Sequence, residues 1–441
     1  MIGPPEPAEL ATLVARSEWG QLLSAQRVMH GTLPMGHPRL VDYLGLSKHA
    51  GVLLVSDGAE IHIVPAVTEP FLRRARAGDG VSESLLDRAR MAWTASGSFE
   101  LHTYRPPLAS GERPLGVDQT NESIAVGDAA LVKWHAIAAD GIHPAPVAQA
   151  ALVRAGFAGT PAPYAVLTWR GRLVAEATRL IPGAVDGWTW VVNDLLAEVT
   201  RSHSGPRGVA LGTLLGELTA RLHLALAAGS DSELRAATAP EIAAWEAAVE
   251  AELAHAIRTC PRQDQVALAS AAERLRRQWP TASKLAGATP VMTVHGDLHV
   301  GQILRSKDGE HLVIDFDGNP VLPFNERHLP QSPTLDVASL TQSVVHAGIV
   351  LRKHHPGLAE ASVDEVVGGV IDALVEAYAA VTATGGQPGL LDRRLLMPLR
   401  LRQVVREFSY AAEHLQRWTY VPRSALPRLL AETTEASEVA R

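Results

Sequence analysis

The amino-acid sequence predicts an α+β protein with two lobes, a small β-rich lobe and a large helical lobe, preceded by an N-terminal cap subdomain. Pairs of short strand-like runs recur before residue 182, a Pro- and Gly-rich break covers residues 181–187, and helical periodicity dominates the rest of the chain. We therefore expect three parts: the cap subdomain at residues 1–105, the small lobe with its hinge at residues 106–182, and the helical lobe at residues 183–441.

Composition sets the first limits on function. The chain has 441 residues, of which 46% are hydrophobic and 20% are charged, so there is enough apolar surface for packed cores. Its 40 Lys and Arg against 47 Asp and Glu give a net charge of −7. That balance argues against general nucleic-acid binding and against a polybasic membrane surface. The one cysteine, Cys260, excludes an intrachain disulfide and a multi-cysteine zinc site.

The sequence also lacks the usual marks of a leader or a membrane span. The first residues have no basic segment followed by an apolar run, and no uncharged apolar stretch reaches the roughly 18 residues that a spanning helix needs. We expect a cytoplasmic monomer that binds small molecules, with no nucleic-acid or membrane partner.

The cap subdomain begins with a helical pattern at residues 8–23, where apolar residues recur three and four apart. Residues 51–67 predict a hairpin, since two β-rich runs flank the turn at Asp57-Gly58, and residues 99–106 predict a third strand. This part contains no cluster of reactive side chains, so we assign it a capping role.

The small lobe follows a turn-rich stretch at residues 106–123. A helix is expected at residues 145–155, between two pairs of strands. The four predicted strands are residues 123–128, 129–137, 164–170 and 172–181. The lobe therefore has the order β-β-α-β-β.

The helical lobe begins after the break. Its first predicted helices are residues 188–201, 208–228, 239–257 and 263–279. Two short strands, residues 291–294 and 311–316, then enclose a loop, and helical periodicity returns from residue 335 to about residue 435.

That loop and its second strand hold the side chains that indicate chemistry. Asp297 follows an apolar strand and a glycine, a position in which a carboxylate can be held rigidly to accept a proton. Gln302 comes five residues later, and Asp315 and Asp317 end the next strand. Carboxylate and amide oxygens are hard ligands that suit Mg²⁺. We predict Asp297 as the catalytic base and the other three as metal ligands.

The spacing matches that of phosphoryl-transfer enzymes with a catalytic-loop Asp, a metal ligand five residues on, and a strand that ends in Asp-Phe. In such enzymes a strand lysine neutralises the α- and β-phosphates of ATP. Lys133, in the run Ala-Leu-Val-Lys-Trp, has the corresponding position in the chain order. ATP and Mg²⁺ are therefore the expected cofactors.

Four segments resemble those of the actinobacterial maltokinase-like enzymes and glucosamine kinases, a branch of the aminoglycoside-phosphotransferase-like enzymes. They are RPLGVDQTN at 113–121, DGWTW at 186–190, VHGDLHVGQIL at 294–304 and IDFDGNP at 314–320. The resemblance covers nearly the whole chain and implies a bilobal protein-kinase-like fold, with residues 1–105 as the cap. It also implies ATP-dependent phosphorylation of a small molecule. Glutamine at position 302, where the wider fold has asparagine, is typical of this branch.

The substrate prediction rests on two departures from maltokinases. Residues 314–320 lack the two glutamates of the maltokinase segment, and the run REFSYAAEHLQRW at 406–418 resembles glucosamine kinases. We therefore predict phosphorylation of the 6-hydroxyl of glucosamine. A cationic amino sugar favours a carboxylate and an aromatic ring as ligands, and the candidates are Glu407, Glu413, Trp418 and Tyr410, beside Asp297. A maltokinase forming maltose 1-phosphate and an aminoglycoside-type phosphotransferase remain alternatives.

The nucleotide site is less sharply defined. Loop 116–123 is expected to cover the phosphates, through backbone N–H groups and the side chains of Thr120, Asn121 and Ser123. Further candidate contacts flank the hinge: Arg179, Ile181 and Asp186. Asp186 can instead cap the next helix. Kinases usually pair the strand lysine with a helix glutamate, but residues 145–156 contain no acid. Gln149 can accept one weaker hydrogen bond from Lys133; the alternatives are that another group holds the lysine or that the lobe is loosely organised without nucleotide.

Two residues near Asp297 have structural interpretations. We expect His295 to brace the catalytic loop and Asp336 to bond back to it from a helix N-terminus, while His299 is left unassigned. A metal-dependent hydrolase using His295, Asp297, His299, Asp315 and Asp317, and a nucleotide-binding scaffold without catalysis, are the alternatives from other classes. The four-residue spacing of the two histidines would suit zinc on a helix, but Gly296 disfavours a helix there.

Overall fold

The structure is a computed structural model that describes residues 7–23, 34, 36–69, 71–115, 121–201, 206–230 and 234–439. The chain forms two compact units. The first comprises the chain to Pro146, Pro161–Gly183 and Pro320–Arg327; the second comprises Val147–Thr160, Ala184–Asn319 and His328–Arg441. Both helices and sheets are present, as an α+β chain requires. The boundaries expected at residues 105 and 182 stay predictions.

The first unit begins with two helices, α1 (Pro7–Arg16) and α2 (Trp19–Leu22), and a four-stranded sheet. Its strands pair in the order β1-β2-β3-β4, with β1 Arg39–Gly45, β2 Ala50–Ser56, β3 Ile61–Val67 and β4 Arg73–Arg74. The predicted hairpin is β2 and β3. The Asp57 carboxylate closes its turn by accepting hydrogen bonds from the backbone N–H groups of Ala59 and Glu60, at 2.8 and 2.7 Å. The helix α3 (Val81–Arg90) follows.

A seven-stranded antiparallel sheet forms the rest of the first unit, in the order β5-β6-β10-β11-β9-β8-β7. The strands are β5 Ala95–Ser96, β6 Phe99–Thr103, β7 Glu112–Pro114, β8 Glu122–Val126, β9 Ala130–Trp134, β10 Pro163–Trp169 and β11 Arg172–Arg179. The helix α4 (Pro144–Arg154) lies between β9 and β10 in the sequence. The four strands of the predicted small lobe are β8 to β11, and β6, which precedes residue 105, pairs with β10.

Strands β2 and β3 are buried on both faces, which explains why their sequences are continuously apolar rather than alternating. Successive side chains of a strand point to opposite faces. Leu53 and Val55 pack into one core with α1 and α2, whereas Val52 and Leu54 pack into another with α3 and the seven-stranded sheet. One pair of strands thus joins two hydrophobic cores.

The second unit is mainly helical. Its helices are α5 Gly187–Thr200, α6 Val209–Gly229, α7 Ala239–Thr259, α8 Arg262–Gln278, α9 Ala282–Leu285, α10 Thr334–His354, α11 Glu360–Thr384, α12 Arg393–Glu413 and α13 Tyr420–Val439. The strands are β12 Arg235–Ala236, β13 Pro290–Val291, β14 Ile303–Arg305 and β15 His311–Val313. The first four predicted helices correspond to α5 to α8.

The strands that flank the catalytic loop are shorter than predicted. β13 covers two residues, after which Met292 makes an isolated bridge to Gln331. Beyond Val313 the backbone N–H of Ile314 still bonds the Gln302 carbonyl at 2.9 Å, and the extended conformation then ends at Asp315, whose backbone is left-handed with φ +66°. The strand therefore ends just before Asp315 and Asp317, the predicted metal ligands.

Three helices, α6, α10 and α11, are long and apolar enough to cross a membrane if length and composition alone are considered. This differs from the sequence analysis, which required a wholly uncharged stretch. In the most buried of them, α10, 89% of the apolar window lies inside the protein. That helix contains buried polar side chains, among them Asp336 and His346. The apolar surface of α10 is therefore used in packing within the second unit.

The closest helix pair in the second unit, α6 and α11, depends on two glycines. A Cβ atom on Gly212 would lie 2.3 Å from the Val370 carbonyl oxygen, and one on Gly216 would lie 2.2 Å from that of Leu374. No side chain fits at such distances, so the backbones of the two helices pack directly against each other.

We predict that Gly216→Ala lowers the melting temperature by several degrees, because the added methyl must push α6 away from α11 and overpacking costs about 1–3 kcal/mol. The matched control is Gly368→Ala on α11, where a Cβ would meet nothing within 4 Å. That change should leave the protein as stable or raise its stability by up to about 1 kcal/mol through helix propensity. Equal effects of the two substitutions in differential scanning fluorimetry would contradict the packing argument.

Candidate functional site

The catalytic loop is held by a carboxylate at the beginning of α10. The Asp336 side chain accepts hydrogen bonds from the backbone N–H groups of His295 and Gly296, at 2.8 and 2.9 Å, and is fully buried. Burial alone would raise the pKa of Asp336, but the hydrogen bonds that its carboxylate accepts from His223 and from the backbone of His295 outweigh burial and lower the pKa. The expectation that Asp336 bonds back to the loop is confirmed.

His295 braces the same loop, also as expected. Its Nε2 lies 2.9 Å from the Ile314 carbonyl oxygen, and its Nδ1 lies 3.3 Å from the backbone N of Asp297. These distances suit a ring that donates from Nε2 and accepts at Nδ1. With both ring nitrogens engaged in the loop, His295 is a poor candidate for a zinc ligand, which weakens the hydrolase alternative.

Asp297 occupies a position suited to a base. Burial raises the pKa of its carboxyl group, the nearby rings of His299 and His295 partly offset this, and the carboxylate of Asp315 adds to it. The net pKa lies above the usual range. A carboxylate with a raised pKa is a better proton acceptor than a solvated one, because it binds the proton more tightly.

Gln302 and Asp315 come together beside the loop. The Gln302 side-chain nitrogen lies 3.4 Å from a carboxylate oxygen of Asp315. Asp315 is exposed and adopts a positive φ that non-glycine residues rarely take, a type of strain that clusters at functional sites. Asp317 follows two residues later and is half-buried. The structure thus brings two of the three predicted metal ligands together, and the metal role of all three stays a prediction.

A second half-buried acid lies within electrostatic reach of Asp297. Glu407, on α12, accepts a hydrogen bond from the indole N–H of Trp418 at 2.9 Å. Burial raises the pKa of Glu407, the bond from Trp418 opposes this, and the negative charge of Asp297 raises the pKa further. The negative charge of Asp297 thus disfavours ionisation of Glu407, and a cation beside Glu407 would offset this effect.

Trp188, on α5, links the loop to Trp418 and was not singled out as a site residue from the sequence. Its ring stacks on His299 with a centroid distance of 5.9 Å and meets Trp418 edge-on at 5.5 Å. Gly301 makes room for this arrangement, since a Cβ there would lie 2.6 Å from Trp188 Nε1. The motif at 186–190 marked the segment, but nothing in the sequence indicated which way the ring points.

Two other predicted substrate residues on α12 have different surroundings. The Glu413 carboxylate lies 2.7 Å from Nε2 of His255 on α7 and is partly exposed. Tyr410 is 44% exposed, with its ring against His414. Six helical residues turn the chain by about 600°, so Glu407 and Glu413 point to different sides of α12. The structure brings Glu407 and Trp418 together but does not bring Glu413 to them.

In the first unit, Lys133 faces an acid that the sequence analysis missed. Glu176 on β11 is its cross-strand neighbour, and Lys133 Nζ lies 3.7 Å from Glu176 Oε1. Burial alone would raise the pKa of Glu176, but the neighbouring His135 and the charge of Lys133 lower it to about 2. The lysine therefore has a carboxylate partner on a neighbouring strand, and its contact with Gln149 stays a prediction.

The remaining nucleotide candidates are spread over two units. Asn121 accepts a hydrogen bond from the Ala136 N–H at 3.2 Å, and Ser123 is the other cross-strand neighbour of Lys133. Arg179 ends β11, and Ile181 follows it by two residues. The phosphate-covering part of the loop, residues 116–120 with Thr120, lies outside the described residues.

Asp186 caps α5, which confirms the structural alternative for it. The carboxylate accepts hydrogen bonds from the Thr189 N–H at 3.1 Å and from the Thr189 hydroxyl at 2.6 Å. Gly187 follows because a Cβ there would lie 1.6 Å from the Val300 carbonyl oxygen. The beginning of α5 therefore packs directly on the turn that carries Gln302.

Comparison with known proteins shows similarity to phosphotransferases over most of the chain. Residues 134–318 match the phosphotransferase enzyme family. A glucosamine kinase of Streptacidiphilus jiangxiensis is 39% identical over 410 residues, which cover 90% of this chain and 92% of that protein. A glucosamine kinase of Mycolicibacterium smegmatis is 42% identical over 372 residues, covering 82% of this chain and 91% of that protein.

Solved structures agree with the sequence comparison. A glucosamine kinase in complex with glucosamine, ADP and inorganic phosphate is 35% identical, with a TM-score of 0.81, and the match covers 95% of this chain and 99% of that chain. The bilobal kinase-like fold expected from the sequence is therefore confirmed.

The Lys133–Glu176 pair leads to a prediction about stability. At neutral pH, Glu176→Gln should cost about 3 kcal/mol, because it leaves a largely buried lysine without its carboxylate. Since the pKa of Glu176 is lowered to about 2, its contribution to the free energy of unfolding is fully present above the ordinary pKa of a glutamate. The difference in melting temperature from the unsubstituted protein should shrink as the pH falls from about 4.5 towards 2.

The matched control is Glu100→Gln, an exposed position on β6 of the same sheet. Its melting temperature should follow that of the unsubstituted protein at every pH. A loss in Glu176→Gln that persists unchanged at pH 3 would show that the effect is not one of charge.

Proposed function

This chain belongs to the family of glucosamine kinases among the phosphotransferase enzymes, and we propose that it transfers the γ-phosphoryl group of ATP to the 6-hydroxyl of glucosamine. The observation that carries the proposal is the pair of half-buried acids with raised pKa values, Asp297 and Glu407, of which the first raises the pKa of the second. One acid suits a hydroxyl that must lose its proton, and the other suits a cationic amine on the same small molecule.

In the proposed reaction, Asp297 accepts the proton of the sugar 6-hydroxyl as that oxygen bonds to the γ-phosphorus. The bond between the γ-phosphorus and the bridging oxygen breaks at the same time, and ADP leaves with that oxygen. Asp297 must be ionised to act, and the hydrogen bonds of Asp336 and His295 to the loop keep it in place. Catalysis here is mainly positioning and charge neutralisation.

Gln302, Asp315 and Asp317 would hold Mg²⁺. Their oxygens are the hard donors that this ion prefers, and the proximity of Gln302 to an exposed Asp315 fits the group. Bound Mg²⁺ supplies positive charge to the β- and γ-phosphates. The two aspartates flank Phe316, which packs against His295 at 4.9 Å between ring centroids, so the metal segment and the catalytic loop support each other.

The nucleotide contacts are proposed residue by residue. Lys133, held towards its strand neighbour Glu176, would bind the α- and β-phosphates. The other proposed contacts are Asn121, Ser123, Arg179, Ile181 and Asp186. Among them Asp186 has the weakest support, because its carboxylate already bonds Thr189.

For the sugar, we propose that Glu407 binds the ammonium group and that Trp418 orients Glu407. A buried carboxylate with a raised pKa gains more from a cationic ligand than an exposed one. Glu413 and Tyr410 have less support, since Glu413 pairs with His255 and Tyr410 is exposed. Maltose and glucose lack an amine, so this arrangement favours an amino sugar. Since ATP is the co-substrate, we also propose a cytoplasmic enzyme, and a monomer.

We predict that Asp297→Asn lowers kcat for glucosamine by about 10²–10⁴-fold, the usual contribution of a positioned base. Binding of ADP should survive, because the amide is isosteric and leaves the proposed nucleotide contacts in place. A coupled ADP-release assay measures the first effect and thermal stabilisation by ADP the second. A variant that retains more than a tenth of the activity would exclude Asp297 as the base.

A matched pair of substitutions tests the amine site. Glu407→Gln should raise KM for glucosamine by about 10-fold or more, since a hydrogen-bonded charge pair in a buried site is worth about 1.5–3 kcal/mol, and should leave KM for ATP within about twofold. Glu413→Gln, the same chemical change six residues along the helix, should alter neither constant by more than about twofold, because a partly exposed pair contributes about 0–1 kcal/mol. The opposite pattern would transfer the amine site to Glu413.

A further inference from the structure

A chain of buried polar groups runs from α11 to the catalytic loop. The Tyr378 hydroxyl lies 2.7 Å from Nδ1 of His223, and Nε2 of His223 lies 3.0 Å from a carboxylate oxygen of Asp336. That same oxygen accepts the backbone N–H of His295, and the other accepts that of Gly296. The side chains of Tyr378, His223 and Asp336 are all fully buried. The loop therefore connects, through two more side chains, to a helix that contributes nothing to the proposed site.

The donors and acceptors in this chain can be assigned from one end to the other. Asp336 has only acceptors, so Nε2 of His223 must carry the hydrogen that it donates. A buried hydroxyl also needs an acceptor, and within the described part of the chain Nδ1 of His223 is the one in reach of Tyr378. His223 is thus neutral and in the Nε2–H form. The opposite tautomer would direct a ring lone pair at the Asp336 carboxylate.

The hydroxyl of Tyr378 reinforces the tautomer that the Asp336 carboxylate requires. Without it, Nδ1 has no donor facing it, and a hydrogen on Nδ1 costs less. In the Nδ1–H form Asp336 loses one of its three hydrogen bonds, and its carboxylate can turn away from the two loop N–H groups. The loop that carries Asp297 would then be less rigidly placed.

We infer that Tyr378 and His223 are positioning residues for the proposed phosphoryl transfer, acting through Asp336 on the loop that carries Asp297. The inference rests on the proposed function for its kinetic part. Its structural part, the tautomer of His223, can be tested without any activity.

The kinetic experiment compares Tyr378→Phe with two control variants, Thr382→Val and Thr219→Val. Both threonines are buried on the same two helices and bond only carbonyls of their own helix, at 2.9 and 2.8 Å. For Tyr378→Phe we expect kcat for glucosamine to fall about 10-fold, below the roughly 10²-fold that a 1 Å misplacement can cost. KM for ATP and for glucosamine should stay within about twofold. In the two control variants the melting temperature should fall about as far as in Tyr378→Phe, while kcat should stay at the value of the unsubstituted protein.

The spectroscopic experiment uses the full-length protein labelled with ¹⁵N in histidine, with the His223 signals identified by their absence in His223→Gln. In the unsubstituted protein we expect Nε2 protonated and Nδ1 unprotonated, and in Tyr378→Phe a mixture of tautomers. An Nδ1–H form or an imidazolium in the unsubstituted protein would overturn the inference. So would a kcat in Tyr378→Phe equal to that in Thr382→Val. If no variant phosphorylates glucosamine but the tautomers behave as expected, the proposed substrate is wrong, and the inferred chain from Tyr378 through His223 to Asp336 is still supported.

Discussion

The buried carboxylate of Asp336 fixes the catalytic loop in place. Its oxygens accept hydrogen bonds from two backbone N–H groups of the catalytic loop. The loop follows a strand of only two residues, so a sheet cannot supply acceptors for these groups. Burying an ionised group is costly unless it is well bonded, and Asp336 is bonded on both oxygens. The loop geometry, and with it the placement of the reactive acid five residues before Gln302, follows from that constraint.

The acids around this centre show how one residue type is adapted to several tasks. Asp336 and Glu176 are buried among hydrogen-bond donors or cations, which lower their pKa values and keep them ionised. Asp297 and Glu407 are half-buried, and desolvation raises the pKa of both. The first pair serves structure because its charge is already compensated. In the proposed reaction, the second pair meets the hydroxyl and the amine of the substrate.

The sequence predicted those parts of the candidate site whose residues lie close together in one short segment. The loop from His295 to Gln302 and the metal segment at 314–320 were recognisable because their spacing along the chain is itself the signature. Glu176 was not, because it faces Lys133 only through the pairing of β11 with β9 across 43 positions of sequence. The direction of the Trp188 ring and the separation of Glu407 from Glu413 likewise depend on packing between helices. Long-range contacts of this kind leave no local pattern in a single sequence.

The two-faced burial of β2 and β3 has a consequence for how the chain can be divided. Removing residues 1–105 to obtain a minimal catalytic fragment would delete both strands and β6 with them, and so strip the cover from the seven-stranded sheet. The outer edge of β10 and the apolar side chains beneath it would then face water, and such an exposed edge is a typical template for aggregation. The N-terminal segment is therefore not a detachable accessory, because the sheet bearing Lys133 depends on it for a complete core.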